Sequence, residues 1–338
     1  MRHIRPLRAE DIDDIVAVRR LAFRRSERPG NGDLGRYFAD VFLGHPWQDD
    51  AFPSLVYVNG GGRPVGFLGV IPRPATFRGE RIQIAVATQF MVHPDHRGVA
   101  GVQLLKRFLS GDQDLSLADL ANDVSHHLWQ HLGGATALIP SLQWTLEFPH
   151  HPGAGGRAAR RVLSLVWPRW RAPAGVRRGD LTPELFDSHL REILRGTSLL
   201  PEYDSRSATL AFNQLATKRG LGEMRSASLW NAAGDVLGWY VYYADGEGMG
   251  RVVHLVARHG ARDQVLQELF ARAWSEGLAA VTGRLEPALV SHAGRAGLVC
   301  KREGPWMLVQ SPRPEILEAV ERGDAFLSSL EGEGLLSF

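Results

Sequence analysis

Two periodicities alternate along this chain, and the order in which they alternate carries most of what can be read from it. Residues 3–7 read as a first strand, and residues 9–23 set Ile12, Ile15, Val16, Ala22 and Phe23 on one face of a helix. Glu10, Asp11, Asp13 and Asp14 fall in its first turns and Arg19, Arg20, Arg24 and Arg25 at its end, the arrangement a helix dipole favours. A polar, glycine-containing loop at 26–33 leads to a second helix over 34–43. Residues 54–58, 65–71 and 82–92 then read as three strands joined through GGGR and the FRGER turn, an antiparallel meander.

The pattern changes most sharply over residues 85–109, AVATQFMVHPDHRGVAGVQLLKRFL. Its first eight residues are an apolar, β-branched run without Gly or Pro, which at that length fits a buried strand. His93-Pro94-Asp95 breaks the strand, and from Val102 onward Val102, Leu105, Phe108 and Leu109 share one helical face. The loop between them is HRGVAG. Small residues leading into a helix leave backbone N–H groups unpaired at the positive end of its dipole, a site for phosphate, with Arg97 as a charged donor. Beyond it come a strand over 115–121, a helix over 122–132 ended by Gly133-Gly134, and more strand over 138–148.

This segment resembles motif A of the GNAT superfamily of acyl-coenzyme A N-acyltransferases, V-x-P-x-x-R-x-x-G-x-G/A, with Val92, Pro94 and Arg97 in register. Ala100 stands in the place of the first motif glycine and Val102 in that of the terminal Gly/Ala, with Gly98 and Gly101 beside them. Two helices after the first strand, a meander, then strand-helix-strand is also the GNAT order, so the resemblance covers residues 1–148. It implies that the loop from Arg97 through Gly98, Val99, Ala100 and Gly101 to Val102 holds the pyrophosphate of acetyl-coenzyme A, and that the backbone of Phe90, Met91 and Val92 runs beside the pantetheine and supplies the oxyanion donor. Asn122 matches an Asn that hydrogen-bonds the cofactor chain. The usual thiolate acid is a Tyr on the helix after the fifth strand; Trp129 is in register and cannot give a proton. The proton source stays open among water, His126 and His127 nearby, and a carboxylate of the C-terminal tail at Phe338, as in aminoglycoside-modifying relatives.

Residues 149–180 are rich in Pro, Gly and Arg and read as a linker between domains 1–148 and 181–338. Their Trp167 and Trp170 interleave with Arg160, Arg161, Arg169 and Arg171, but no larger basic patch supports nucleic-acid binding. The second half repeats the plan of the first: helices over 181–195 and 207–219, strands over 227–230, 236–243 and 251–257, a helix over 262–274, a strand over 279–282, a short helix over 287–293 and a strand over 299–309. Where the first copy has HPDHRGVAG, the second has ARHGARD, so it is expected to lack a cofactor loop. The expected fold is α/β (α+β), two GNAT-like domains, each a mixed, mostly antiparallel sheet flanked by helices.

At 338 residues and 44% hydrophobic content the chain can bury sizeable cores. It has no apolar run long enough for a membrane span, and 39 basic against 37 acidic residues give a near-neutral +2. Cys300 is the one cysteine, so neither an internal disulfide nor a multi-cysteine metal site is possible, His150-His151 lacks the partners for a metal site, and a cytoplasmic location follows as the default. Tandem arrangements resemble aminoglycoside acetyltransferases of the enhanced-intracellular-survival type, which use acyl-coenzyme A, and Fem-type transferases, which use aminoacyl-tRNA. Motif A favours the first. The expectation is transfer of an acetyl or other short acyl group to a small-molecule amine; the alternatives are a Fem-like aminoacyl transferase and a catalytically weak acyl-CoA-binding protein of the same fold.

Overall fold

The computed structural model describes residues 3–23, 34–148 and 171–334. They divide into two compact units, 3–137 with 305–320 and 138–304 with 321–334. The proposed linker over 149–180 lies largely outside the described residues, as do Arg24, Arg25, Trp167, Trp170, His150, His151 and Phe338.

In the first unit, β1 (His3–Pro6) is followed by α1 (Ile12–Ala22) and α2 (Leu34–Phe42), then by the meander β2 (Leu55–Val58), β3 (Pro64–Phe77) and β4 (Glu80–Val92). Next come α3 (Val99–Leu109), β5 (Leu115–Ala121), α4 (Asp123–His131) and the short β6 (Ala135–Thr136). Of the α3 face read from the sequence, Leu105 and Phe108 are buried, whereas Val102 is exposed and Leu104 takes its place in the core. Leu104, Leu105 and Phe108 of α3 and Trp129 of α4 pack on Leu68, Val70, Ala85, Ala87 and Ala118 of the sheet. On other faces Phe38 and Phe42 of α2 meet Phe67 of β3 edge-on, with centroids 5.5 and 5.1 Å apart. Gly69 of β3 admits that contact, since a Cβ there would sit 2.4 Å from the Phe42 ring.

The second unit holds β7 (Gln143–Glu147), β8 (Arg177–Gly179), α5 (Pro183–Ile193), β9 (Leu199–Pro201), α6 (Ser205–Thr217), β10 (Glu223–Trp230), β11 (Val236–Ala244) and β12 (Met249–Ala257). It continues with α7 (Arg262–Glu276), β13 (Ala280–Arg284), α8 (Val290–Ala296) and β14 (Val299–Lys301). After it, β15 (Trp306–Gln310) and α9 (Pro314–Arg322) begin in the first unit. Val265, Leu266, Leu269, Phe270, Ala273 and Trp274 of α7 form the buried face expected of that helix.

Two strands fall in the other unit from the one expected. β7, expected to complete the first domain, instead lies between β13 and β14 in the second sheet, with Val281 opposite Leu146. The expected single strand over 299–309 is two: β14 stays in the second sheet, and β15 joins the first between β5 and β6. The first sheet therefore runs β1-β2-β3-β4-β5-β15-β6 and the second β14-β7-β13-β12-β11-β10-β8. In each, one central pair is parallel, β4 with β5 and β12 with β13, and the remaining neighbours are antiparallel.

β15 also explains Trp129. The indole is 2% exposed, packs near Phe108 and donates its N–H to the carbonyl of Val309 at 3.1 Å. Trp129→Ala should therefore destabilise the fold by about 3–5 kcal/mol. Denaturant unfolding measures this, and a loss below about 1 kcal/mol would contradict a core role.

Candidate functional site

The site begins with a flaw in a strand. Along β3 and β4, Phe67 pairs with Met91 but Gly69 pairs with Thr88, so Gln89 and Phe90 together oppose Leu68. This is a β-bulge, and Gln89 takes φ +49°, a left-handed conformation uncommon for a non-glycine residue. The Arg19 Nε–H reaches its side-chain oxygen at 3.3 Å. On the other edge of β4 the parallel ladder with β5 runs from Ile84 opposite Leu115 to Val86 opposite Leu117 and stops, although β4 continues to Val92 and β5 to Ala121. The bulge ends the pairing, and the two strands fork.

Beyond the fork the His93 N–H donates to the Val65 carbonyl at 2.8 Å, holding the end of β4 to β3. Alternation along a strand turns the neighbouring Val92 N–H to the opposite edge, toward the fork. A single 3-10 turn at Pro94–His96 follows, with His93 Nδ1 accepting the Asp95 N–H at 3.3 Å. Arg97 is exposed and has no side-chain partner among the described residues. Gly98 caps α3 at φ +92° with open space where a Cβ would stand.

The first helical bond of α3 runs from the Val102 N–H to the Gly98 carbonyl, leaving the N–H groups of Val99, Ala100 and Gly101 at the start of the helix without a helical acceptor. The two departures from motif A are harmless to this geometry. Ala100 and Val102 both lie inside α3, where no positive φ is needed, and Val102 is exposed. The conformation a glycine must supply falls at Gly98.

The remaining candidates are dispersed around α4. Asn122 caps this helix, its side-chain oxygen accepting the Ser125 N–H at 2.9 Å. His126 is buried, stacked on Trp306 with centroids 4.1 Å apart, and its Nε2 lies 2.8 Å from the Thr136 hydroxyl. Trp306 in turn donates to Asp123 at 2.7 Å. His127 is exposed. Phe338 is outside the described residues. Sequence reasoning missed Asp119, the buried acid on the two fork strands, two residues past the last β4–β5 pair. A lone acid in the apolar strand LSLADLA was the available signal.

The second domain has the same fork. β11 and β12 pair Val241 with His254 and Tyr242 with Val252, leaving Val253 as the bulge, and the parallel β12–β13 ladder ends at Val252 opposite Gly283. The Arg258 N–H donates to the Leu237 carbonyl at 2.8 Å, as His93 does to Val65. From that point to the helix cap, however, the loop is two residues shorter, and the cap is Ala261, buried and near-helical at φ −102° and ψ 0°. The corresponding exposed corner is His259-Gly260, with Gly260 at φ +85° and histidine in the place of Arg97, and it stands one residue before the cap. Among the described residues there is no metal-binding cluster and no helix long and apolar enough to cross a membrane.

Residues 3–112 match the model of the acetyltransferase (GNAT) domain family. The first domain has the GNAT fold. The second repeats its sheet, bulge and fork. Among solved structures, a probable N-acyltransferase from Enterococcus faecalis V583 aligns over 96% of this chain and 74% of its own, at 14% identity and a TM-score of 0.61. A GCN5-related N-acetyltransferase from Kribbella flavida covers 92% and 72% at 17% identity and 0.59. The Saccharomyces cerevisiae N-myristoyltransferase with bound myristoyl-CoA covers 91% and 78% at 10% identity and 0.53. At these identities the likeness is one of fold, and it extends over both GNAT-like domains. No curated protein matches the chain by sequence.

One titration follows from the second fork. Burial, then the nearby Glu331 carboxylate, push the Glu286 carboxyl up to about 8 against the pull of Arg284 and Arg262. The folded chain thus keeps a proton that the unfolded chain gives up above its ordinary carboxylate range, so stability falls as pH rises from about 4.5 to about 8. Glu286→Gln should lose less thermal stability than wild type between pH 5 and 8.5; equal losses would place the Glu286 carboxyl at an ordinary value.

Proposed function

We propose that the first domain binds an acyl-coenzyme A and transfers its acyl group to an amine. The observation that carries this reading is the adjacency of the β4–β5 fork and the α3 start. The freed Val92 edge suits an extended amide-bearing chain, and the Val99, Ala100 and Gly101 amides with Arg97 suit a pyrophosphate. The residues present fit that group: Gly98 leaves its approach open, and the first turn of α3 holds no acidic residue.

Bound there, an acyl-coenzyme A supplies a thioester carbonyl as electrophile. In this reading the amine nitrogen attacks that carbon while the Val92 N–H stabilises the developing oxyanion. Asp119 takes the proton the amine gives up, and the carbon–sulfur bond breaks. Trp129 is committed to the core and His126 to Thr136 and Trp306, so the departing thiolate takes its proton from solvent or from exposed His127. Asn122 keeps its side-chain NH2 for the pantetheine while its oxygen caps α4. Because acyl-coenzyme A is a cytoplasmic metabolite, this reading puts the reaction in the cytoplasm, with a small amine as acceptor. A Fem-like reaction would need a basic groove for tRNA, which a near-neutral chain with no large basic patch does not favour.

Calorimetry with coenzyme A should give one site per chain, and Arg97→Glu should weaken it roughly tenfold or more by setting a carboxylate against the pyrophosphate. Two sites, or an unchanged affinity in the variant, would move the cofactor elsewhere. Asp119→Asn should lower kcat by about a hundredfold while leaving coenzyme A affinity intact; an unchanged kcat would remove Asp119 from the proton path.

A further inference from the structure

The fork of the second domain is filled by the chain itself. Two small cavities of about 40 and 10 Å³ remain between β12 and the residues after β13. Their walls include Leu255, Glu286 and Leu289 of the domain and Ala325, Phe326, Ser328 and Ser329 of the last described segment. This segment has almost no regular secondary structure, yet Phe326, Leu327, Ser328, Leu330 and Glu331 are all buried.

Its contacts are those of a bound peptide. The backbone adds to β9 through a parallel bridge of Ala325 with Leu199: the Leu199 N–H donates to the Asp324 carbonyl at 3.1 Å and the Phe326 N–H to the Leu199 carbonyl at 2.9 Å. Asp324 accepts the Ser198 N–H at 2.8 Å and its hydroxyl as well. The Phe326 ring stands edge-on to buried His254, 5.7 Å between centroids. The Ser328 hydroxyl lies 2.7 Å from His254 Nδ1. Glu331 accepts from the Ser328 N–H at 2.7 Å and from the Tyr203 hydroxyl at 2.6 Å.

We propose that the second domain is a peptide-binding module whose ligand is the chain's own segment Asp324–Glu331, seated in the fork whose counterpart in the first domain leads to the Arg97–Gly101 loop. Main-chain pairing to β9 supplies affinity, and the contacts of Phe326 and Glu331 supply selectivity. The segment is separable in principle, because every strand of both described sheets precedes it. Its presence also explains a GNAT-like fork without a cofactor loop: the space is allotted to a peptide.

The test uses the full chain with a site-specific protease sequence inserted between exposed Arg322 and Gly323. After cleavage, the released segment should co-elute with the body on gel filtration. A synthetic peptide of residues 323–334 in excess should displace it while the body keeps its circular dichroism, and the same peptide carrying Phe326→Asp or Glu331→Lys should not. Immediate dissociation without rebinding would overturn the proposal. So would displacement only with unfolding of the body, since the segment would then be core and not ligand. Hydrogen exchange on the uncut chain gives a second reading. Amides 325–331 should open at least about tenfold faster than those of β11, and Phe326→Ala should speed them further without affecting β11. Equal protection of the segment and β11 would likewise overturn it.

Discussion

One extra residue in a strand governs the architecture of this protein. In β4 the bulge at Gln89 and Phe90 takes the strand out of register with its partners, so that the parallel pairing with β5 cannot continue past Val86. A non-glycine residue held at φ +49° costs of order 1–3 kcal/mol and persists only where its surroundings enforce it. Here the enforcement is visible on both sides: Met91 and Val92 resume pairing with Phe67 and Gly66, and the Phe38–Phe42–Phe67 ring cluster packs α2 against the partner strand. The fork exposes an edge of backbone donors, and the turn that follows delivers the start of α3 beside it.

The two domains show what this device permits. Both have the bulge, the fork and the same backbone anchor after the strand, at His93 and at Arg258. They differ in the next few residues. The longer corner of the first sets its positive-φ glycine at the helix cap beside exposed Arg97; the shorter corner of the second sets Gly260 one residue earlier, beside His259, and caps its helix with buried Ala261. The two corners differ by two residues of loop, and the rest of the second fork is lined by the last described segment of the same chain.

Most elements were legible because alternation and the 3.6-residue period survive burial: β5 spans the expected 115–121, and the buried face of α7 is the one read from the sequence. Pairing was legible for the local β2-β3-β4 meander and not for strands distant in the chain. β7 finds its partner β13 more than a hundred residues away, and nothing in QWTLE names it. The run 299–309 reads as one strand, although Glu303-Gly304-Pro305 carries the turn signal that sends β15 into the other sheet. Helix α9 was missed outright, despite its starting Pro314 and the spacing of Ile316, Ala319 and Val320. The motif pointed to the loop before α3, but the bulge sits at a glutamine and left no glycine to mark it. Motif register also assigned Trp129 to the cofactor side, whereas the phase of α4 and the arrival of β15 turn its indole into the core.

The central claim is that the Gln89 bulge builds a cofactor cleft in the first domain and that its counterpart in the second is otherwise used. Backbone hydrogen exchange with and without saturating coenzyme A addresses it most directly. The account predicts slowed exchange at the amides of residues 90–92 and 99–101, with no change at 253–262. Protection of 253–262, or none at 99–101 under saturation, would contradict it.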